Sequence, residues 1–285
     1  MRHTGSRRPG RRRHCLLLAA AVAVSGCAAL GPFSPLAPLE QVLVFQPQKF
    51  PKGDWSPDDL PFEDATFQAD DGTMLHGWYL PHPTPRAVVL FAHGNGGNIT
   101  HYADFLRDLH RRHGVAVLGF DYRGYGRSEG KPSETGVIMD ARAARRWLIG
   151  RTGYPEQEIV LMGHSLGGGV MAQLAAADGA PALILVSTFT SLPDVGKAHT
   201  PWLLPQAVMQ NRLDSRSALQ KFRGPVLISH GDADKLIPIE QALALYDAAS
   251  GPKQLVTVPG GHHNDGLSDE FHVAMDRMLS SLPVN

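Results

Sequence analysis

Short apolar runs alternate with helix-like segments along most of the chain. Strands are predicted at 62–68, 74–80, 87–92, 115–120, 159–162, 182–186, 225–229 and 254–258. Helices are predicted at 102–112, 135–149, 166–177, 239–249 and 266–279. Continuous apolar strands separated by helices indicate a mostly parallel sheet covered by helices on both faces. The turn Asp70-Asp71-Gly72 between the first two strands predicts an antiparallel hairpin at the N-terminal end of the sheet.

The segment 187–224 is the least regular part of this pattern and is rich in Pro, Thr and Ser. We interpret it as a short cap inserted over the edge of the sheet, within one domain that spans 39–285. A single α/β domain of roughly 200–250 residues is common. Trp202, Leu203 and Leu204 suggest an apolar wall in this cap, with simple packing of the insertion as the alternative.

The first thirty residues have a different pattern. Residues 1–14 carry six arginines and no acid, and an apolar run follows at 15–24. This order is typical of a secretory leader. The apolar stretch of about 15 residues would reach only ~22 Å as a helix, against the ~30 Å hydrocarbon core of a bilayer. A stable transmembrane helix is therefore not expected.

The leader ends in Val24-Ser25-Gly26-Cys27, which resembles the lipobox of bacterial lipoproteins. The resemblance implies that residues 1–26 are removed and that Cys27 is lipidated, with the proline-rich segment 27–38 as a stiff tether. Such a protein belongs to the bacterial cell envelope, facing the periplasm from the outer membrane if the cell is Gram-negative. The alternative is an ordinary signal peptide with Cys27 near the cut by chance. Ser6-Arg7-Arg8 also hints at twin-arginine export.

Composition excludes several classes of protein. The 27 basic and 27 acidic residues balance, so nothing favours nucleic-acid binding, and 43% hydrophobic residues are too many for a disordered chain. Removing residues 1–26 takes away six arginines and no acid, which leaves 21 basic against 27 acidic residues. Two cysteines and the absence of C-x-x-C or H-E-x-x-H spacing predict neither a disulfide scaffold nor a metal site. We expect no cofactor.

Gly163-His164-Ser165-Leu166-Gly167 stands between a predicted strand and a predicted helix. That context is the one required by the G-x-S-x-G nucleophile elbow. A serine on so sharp a turn leaves no room for side chains two residues to either side, hence the glycines. The helix start supplies unpaired N–H groups that favour a developing oxyanion. A glycine-rich helix start without chemistry is the alternative.

A serine nucleophile needs a base that is oriented by an acid. In hydrolases that carry their serine on a G-x-S-x-G elbow, the chain order is Ser, acid, His. Two carboxylates, Asp232 and Asp234, follow the strand at 225–229. Two imidazoles, His262 and His263, follow the strand at 254–258. From the residues alone, either member of each pair is a candidate.

Together these motifs resemble the serine α/β-hydrolases of the serine aminopeptidase-like and ABHD types, over roughly 62–282. In that family the acid lies three residues after the glycine of a His-Gly-x-x-Asp-x-x-(Val/Ile)-Pro segment, which here implies Asp234. The base usually precedes Asn-Asp, which implies His263. Asp232 and His262 are then a turn-former and a neighbour.

The loop 93–98, His-Gly-Asn-Gly-Gly-Asn, follows another predicted strand, at the place of the oxyanion loop. We assign the oxyanion to the backbone N–H groups of Asn95 and Leu166. One alternative is a merely flexible loop, and another is that the Asn95 side chain structures the loop instead. The glycines at 124, 126 and 130 do not fit a dinucleotide fingerprint, so the loop 121–130 is interpreted as scaffolding.

These assignments predict hydrolysis of a small acyl substrate through an acyl-enzyme, with carboxylic esters of short or medium acyl chains preferred. Amide, peptide and thioester substrates stay open, as does a non-catalytic envelope lipoprotein on the same scaffold. The oligomeric state cannot be predicted from this sequence.

Overall fold

The computed structural model describes residues 44–282. Its centre is an eight-stranded sheet in the order β1-β2-β4-β3-β5-β6-β7-β8. The strands are β1 Glu63–Gln68, β2 Met74–Leu80, β3 Val88–Ala92, β4 Ala116–Asp121, β5 Ile159–His164, β6 Leu183–Val186, β7 Val226–Gly231 and β8 Lys253–Val258. β2 is antiparallel to β1 and β4, and the remaining neighbours are parallel. Two further short strands, Gln46–Pro47 and Gly96–Gly97, pair in parallel beside the sheet.

Helices cover both faces of the sheet. They are α1 Ala103–His113, α2 Glu134–Thr152, α3 Leu166–Asp178, α4 Leu192–His199, α5 Pro205–Val208, α6 Ser215–Lys221, α7 Ile239–Ala248 and α8 Asp269–Ser281. One apolar cluster joins the sheet to α2, α3, α6 and α7, and a second joins its other face to α1 and α8. The predicted mostly parallel α/β sheet with an N-terminal hairpin is confirmed.

Burial explains why the strand signals were strong. β3 lies in the middle of the sheet and all five of its residues are buried, because helices cover both of its faces. β1 lies at the edge and alternates buried and exposed residues. The helix ends follow local chemistry: the Ser268 side chain accepts the Phe271 N–H, so α8 begins three residues later than the pattern predicts.

The segment 187–224 divides into two parts in the structure. α4 and α5 lie over the site described below and line its cleft. α6 instead packs in the same layer as α3, with Ala218 and Leu219 buried in the larger apolar cluster. Only the first part therefore has the position of a cap.

The predicted leader 1–26, the tether 27–38 and Cys27 lie outside the described residues. Within 44–282, no helix is both long enough and apolar enough to span a bilayer.

Candidate active site

The sequence-predicted site residues follow four strands of the sheet. Asn95 follows β3, Ser165 follows β5, Asp234 follows β7 and His263 follows β8. Because these strands are parallel, their carboxyl ends meet at one edge of the sheet. The topology thus gathers side chains that are up to 168 positions apart in the sequence, from Asn95 to His263.

Ser165 sits on a tight turn between β5 and α3. Its backbone has φ +53° and ψ −116°, a left-handed region that non-glycine residues rarely occupy. A side chain at Gly163 would clash with the backbone of Gly167, and one at Gly167 would clash with the Ala92 carbonyl. α3 begins directly at Leu166, so the positive end of its dipole points at the serine.

A continuous line of hydrogen bonds joins the serine, the imidazole and the carboxylate. His263 Nε2 lies 3.0 Å from Ser165 Oγ, and His263 Nδ1 lies 2.8 Å from Asp234 Oδ2. Ser165 and Asp234 are buried, and His263 is half-buried. A carboxylate can only accept, so Nδ1 carries the proton and Nε2 is left to accept from the Ser165 hydroxyl.

Asp234 is held as a carboxylate. Burial opposes its ionisation, but hydrogen bonds to the carboxylate outweigh it and lower the pKa of Asp234 below its ordinary value. Oδ1 accepts the N–H groups of Leu236 and Ile237 at 2.8 and 2.9 Å. His230 Nε2 lies 2.7 Å from Ile237 O and 3.4 Å from Asp234 Oδ2, so it donates mainly to the carbonyl and more weakly to the acid.

The alternative acid and base have other contacts. Exposed Asp232 accepts the Gly260 N–H at 2.6 Å and so braces the loop after β8. His262 Nδ1 lies 3.1 Å from the Ala233 carbonyl, and the backbone N–H of His262 donates to Asp265 Oδ2 at 2.7 Å. Both residues connect the two loops that carry Asp234 and His263, and neither contacts Ser165.

The Asn95 side chain fixes the loop after β3. Asn95 Oδ1 accepts the Gln46 N–H at 2.8 Å and the Tyr125 hydroxyl at 3.0 Å. Asn95 and Leu166 both line the cleft around Ser165. The Asn95 side chain thus holds this loop in place beside the cleft.

The loop 121–130 lies against this site as scaffolding. Tyr125 reaches Asn95, and the Arg123 guanidinium is shared between Asp140 at 2.8 Å and Asp71 at 2.7 Å. Among residues 44–282, no three His, Cys, Asp or Glu side chains converge in a way that could hold a metal ion.

Sequence reasoning missed a second hydrogen-bonded line that connects three loops of the site. The Gly94 N–H donates to the Tyr102 hydroxyl at 2.9 Å, and Tyr102 lies 2.9 Å from His164 Nδ1. His164 Nε2 lies 3.2 Å from the backbone carbonyl of His263. A carbonyl only accepts, so His164 donates from Nε2 and Tyr102 must donate to Nδ1. We call this line the Tyr102–His164 relay.

Burial, and secondarily the nearby His263, lowers the pKa of His164 to about 4, and burial raises the pKa of Tyr102 to about 12. Both relay side chains are therefore uncharged near neutral pH. The Gly94 N–H already has the Tyr102 hydroxyl as its acceptor. No sequence signal marked the relay, since Tyr102 falls within a predicted helix and His164 fills the variable position of the serine motif.

A cleft of about 1570 Å³ opens above Ser165 and His263. Its walls include Phe189, Val195 and Val208 from the segment after β6. Ser165 is thus accessible from a space larger than the roughly 300–1,000 Å³ typical of small-molecule sites.

This fold, with a serine at the tight turn after β5 and an acid and a histidine after β7 and β8, is that of an α/β-hydrolase. The chain belongs to the α/β-hydrolase superfamily. Residues 83–218 match the family described as "Serine aminopeptidase, S33". The α/β-hydrolase domain-containing protein WAV2 of Arabidopsis thaliana is 36% identical over 226 residues, covering 72% of this chain and 73% of that protein.

Other relatives and structures agree with this assignment. The uncharacterised protein Rv2307c of Mycobacterium tuberculosis is 39% identical over 215 residues, covering 75% of this chain and 76% of that protein. An esterase of Pyrococcus furiosus has the same fold, with a TM-score of 0.69 at 18% identity, covering 84% of this chain and 98% of that one. Acetyl xylan esterase 1 of Thermoanaerobacterium aligns with a TM-score of 0.59 at 18% identity, covering 80% and 86%.

Proposed function

We propose that the protein is a serine hydrolase that cleaves carboxylic esters, with Ser165 as nucleophile, His263 as general base and Asp234 as the orienting acid. The observation that carries the proposal is the unbroken line from Asp234 through His263 to Ser165, at 2.8 and 3.0 Å. Both distances lie within the reach needed for proton transfer.

The reaction follows from the proton positions. Ser165 Oγ attacks the ester carbonyl carbon while its proton passes to His263 Nε2, and the ionised Asp234 stabilises the resulting imidazolium. The N–H groups of Asn95 and Leu166 receive the oxyanion, assisted by the dipole of α3. His263 then gives its proton to the leaving alcohol, and an acyl group remains on Ser165.

Water releases the acyl group by the same steps in reverse. His263 takes a proton from water as the hydroxide oxygen attacks the acyl carbon, and then returns the proton to Ser165 Oγ. The products are a carboxylic acid and the regenerated enzyme.

Cleavage of amides is a second candidate, favoured by the match of residues 83–218 to a family named for an aminopeptidase. The same residues would act, with His263 protonating an amine instead of an alcohol. Esters are preferred because their leaving group departs more readily, and the apolar walls around Val195 and Val208 offer a peptide backbone few polar partners.

The test compares hydrolysis of 4-nitrophenyl butyrate and of aminoacyl 4-nitroanilides by the wild type and Ser165→Ala. We expect ester hydrolysis by the wild type only, with kcat reduced by about 10⁶-fold in the variant. Hydrolysis of the anilides in preference to the ester would refute the proposed esterase and favour a peptidase. Equal ester turnover by Ser165→Ala would refute Ser165 as nucleophile.

For localisation we propose a lipid anchor on Cys27 in the bacterial envelope, supported by the Val24-Ser25-Gly26-Cys27 motif after an arginine-rich and apolar leader. Cys27→Ala is expected to release the protein from the membrane fraction. The matched variant Cys15→Ala, within the leader, should remain there. Equal membrane retention of both variants would exclude the anchor.

A further inference from the structure

The cleft around Ser165 has walls of two kinds. α4, α5 and the residues that follow supply an apolar wall that includes Val195, Val208 and Met209. α1 and α8 supply a polar part that includes Asp108 and His272. A substrate that fills this space contacts apolar surface on one part and charged groups on another.

The charged groups of the polar part already have partners. Arg112 pairs with Asp269 at 2.6 Å, and Asp108 lies 3.3 Å from His272. An apolar chain placed there would separate these pairs from water without replacing their hydration. The apolar portion of a substrate is therefore directed towards α4 and α5.

Three large apolar side chains are exposed around the cleft: Trp202 and Leu204 between α4 and α5, and Leu236 in the turn after β7, whose carbonyl lies 2.7 Å from His199 Nε2 of α4. Trp202 is 73% exposed, Leu204 59% and Leu236 48%, and all three line the same cleft. A single exposed leucine needs no explanation, but several around one cleft form an apolar patch of the kind that binds a ligand. A flexible hydrocarbon chain would cover these side chains, and few hydrogen bonds to water would be lost because the covered surface is largely apolar.

We propose that this wall holds the acyl chain of the substrate, and that the enzyme acts on esters of fatty acids with about eight carbons or more. This inference rests on the proposed ester hydrolysis. It narrows the short or medium chain expected from the sequence to a medium or longer one, because the structure adds Val195, Val208 and Leu236 to the apolar wall that the sequence suggested.

The test uses 4-nitrophenyl butyrate and 4-nitrophenyl octanoate, which share a leaving group and are assayed below the concentration at which octanoate aggregates. Each buried methylene is worth about a fourfold gain, so kcat/KM should favour octanoate by between about 10-fold and about 250-fold. If butyrate is hydrolysed and the preference for octanoate is smaller than this, the chain-length proposal is refuted but the proposed ester hydrolysis is not. Turnover of neither ester overturns both.

A matched pair of variants locates the chain. Leu236→Glu places a charge at the cleft and should lower the octanoate-to-butyrate ratio by about fourfold or more, the worth of at least one methylene. Leu243→Glu changes an equally exposed leucine on α7, 46% against 48%, that does not line the cleft, and should leave the ratio unchanged. Equal ratios in the two variants overturn the proposal.

Val208→Trp is a second, uncharged variant, whose larger side chain occupies space along the apolar wall. The ratio of kcat/KM values is read only for protein with a cooperative thermal transition, so that a general loss of structure is not mistaken for loss of the chain site. A fall in the octanoate-to-butyrate ratio supports the placement, and a parallel loss on both esters contradicts it.

Discussion

Replacing the Asp234 carboxylate by an amide changes the chemistry of the proposed acid with little change of shape. In the structure, Oδ1 accepts the N–H groups of Leu236 and Ile237, and Oδ2 faces His263 Nδ1. In Asp234→Asn the amide oxygen must stay on the two N–H groups, because an NH₂ group cannot accept them. The NH₂ group then faces His263 and forces its proton to Nε2, the nitrogen that must accept from Ser165.

The expected size of the effect follows from this wrong tautomer. Loss of the correct proton position in a serine triad costs about 10⁴-fold in kcat, equivalent to about 5.4 kcal/mol. KM should change little, because Asp234 does not line the cleft. The assay is steady-state hydrolysis of 4-nitrophenyl butyrate, with a thermal melt to verify folding.

Asp232→Asn is the matched control, two residues away on the same loop. Its exposed side chain braces Gly260, and an amide oxygen can still accept that N–H, so kcat should change by less than about threefold. A nearly inactive Asp232→Asn together with wild-type turnover by Asp234→Asn would refute Asp234 as the orienting acid.

Two further predictions concern the Tyr102–His164 relay. Tyr102→Phe removes the acceptor of the Gly94 N–H and the donor to His164 Nδ1, and should lower kcat by about tenfold, or about 1.4 kcal/mol; an unchanged kcat would show that the relay does not position the site. The pKa of His164 is lowered to about 4. Between pH 6.5 and pH 4 the unfolded chain therefore binds a proton at this residue that the folded chain does not bind. The free energy of unfolding consequently falls as the pH falls, by up to about 1.4 kcal/mol per pH unit. His164→Gln should therefore lose less unfolding free energy between pH 7 and pH 4.5 in urea titrations than the wild type; an equal loss would contradict the assignment.

The sheet could be predicted because its signals are local. Strands buried on both faces, such as β3 and β5, are short continuous apolar runs, and the hairpin carries a turn signature between β1 and β2. The two parts of 187–224 could not be separated from the sequence. Ala218 and Leu219 make α6 part of the core layer through contacts with helices far away in the chain, and such contacts leave no periodic trace in a seven-residue helix.

The site also has parts that the sequence marks and parts that it does not. The Gly163–Gly167 motif marks its own geometry, since backbone crowding dictates the two glycines. Asp232 and Asp234 are chemically identical, and the residues alone left both open until the family resemblance favoured Asp234. The structure separates them by position, because the turn after β7 directs Asp234 to His263 and Asp232 to Gly260. The Tyr102–His164 relay joins residues 62 positions apart and had no local signal at all.

The most direct test of Ser165 as an activated nucleophile is its reaction with a fluorophosphonate, read by intact mass and peptide mapping. The proposed hydrolase predicts one adduct per chain on Ser165, none on Ser165→Ala, and strongly slowed labelling of Asp234→Asn. A folded wild-type protein that takes up no label, or labels equally in Ser165→Ala, would contradict the account.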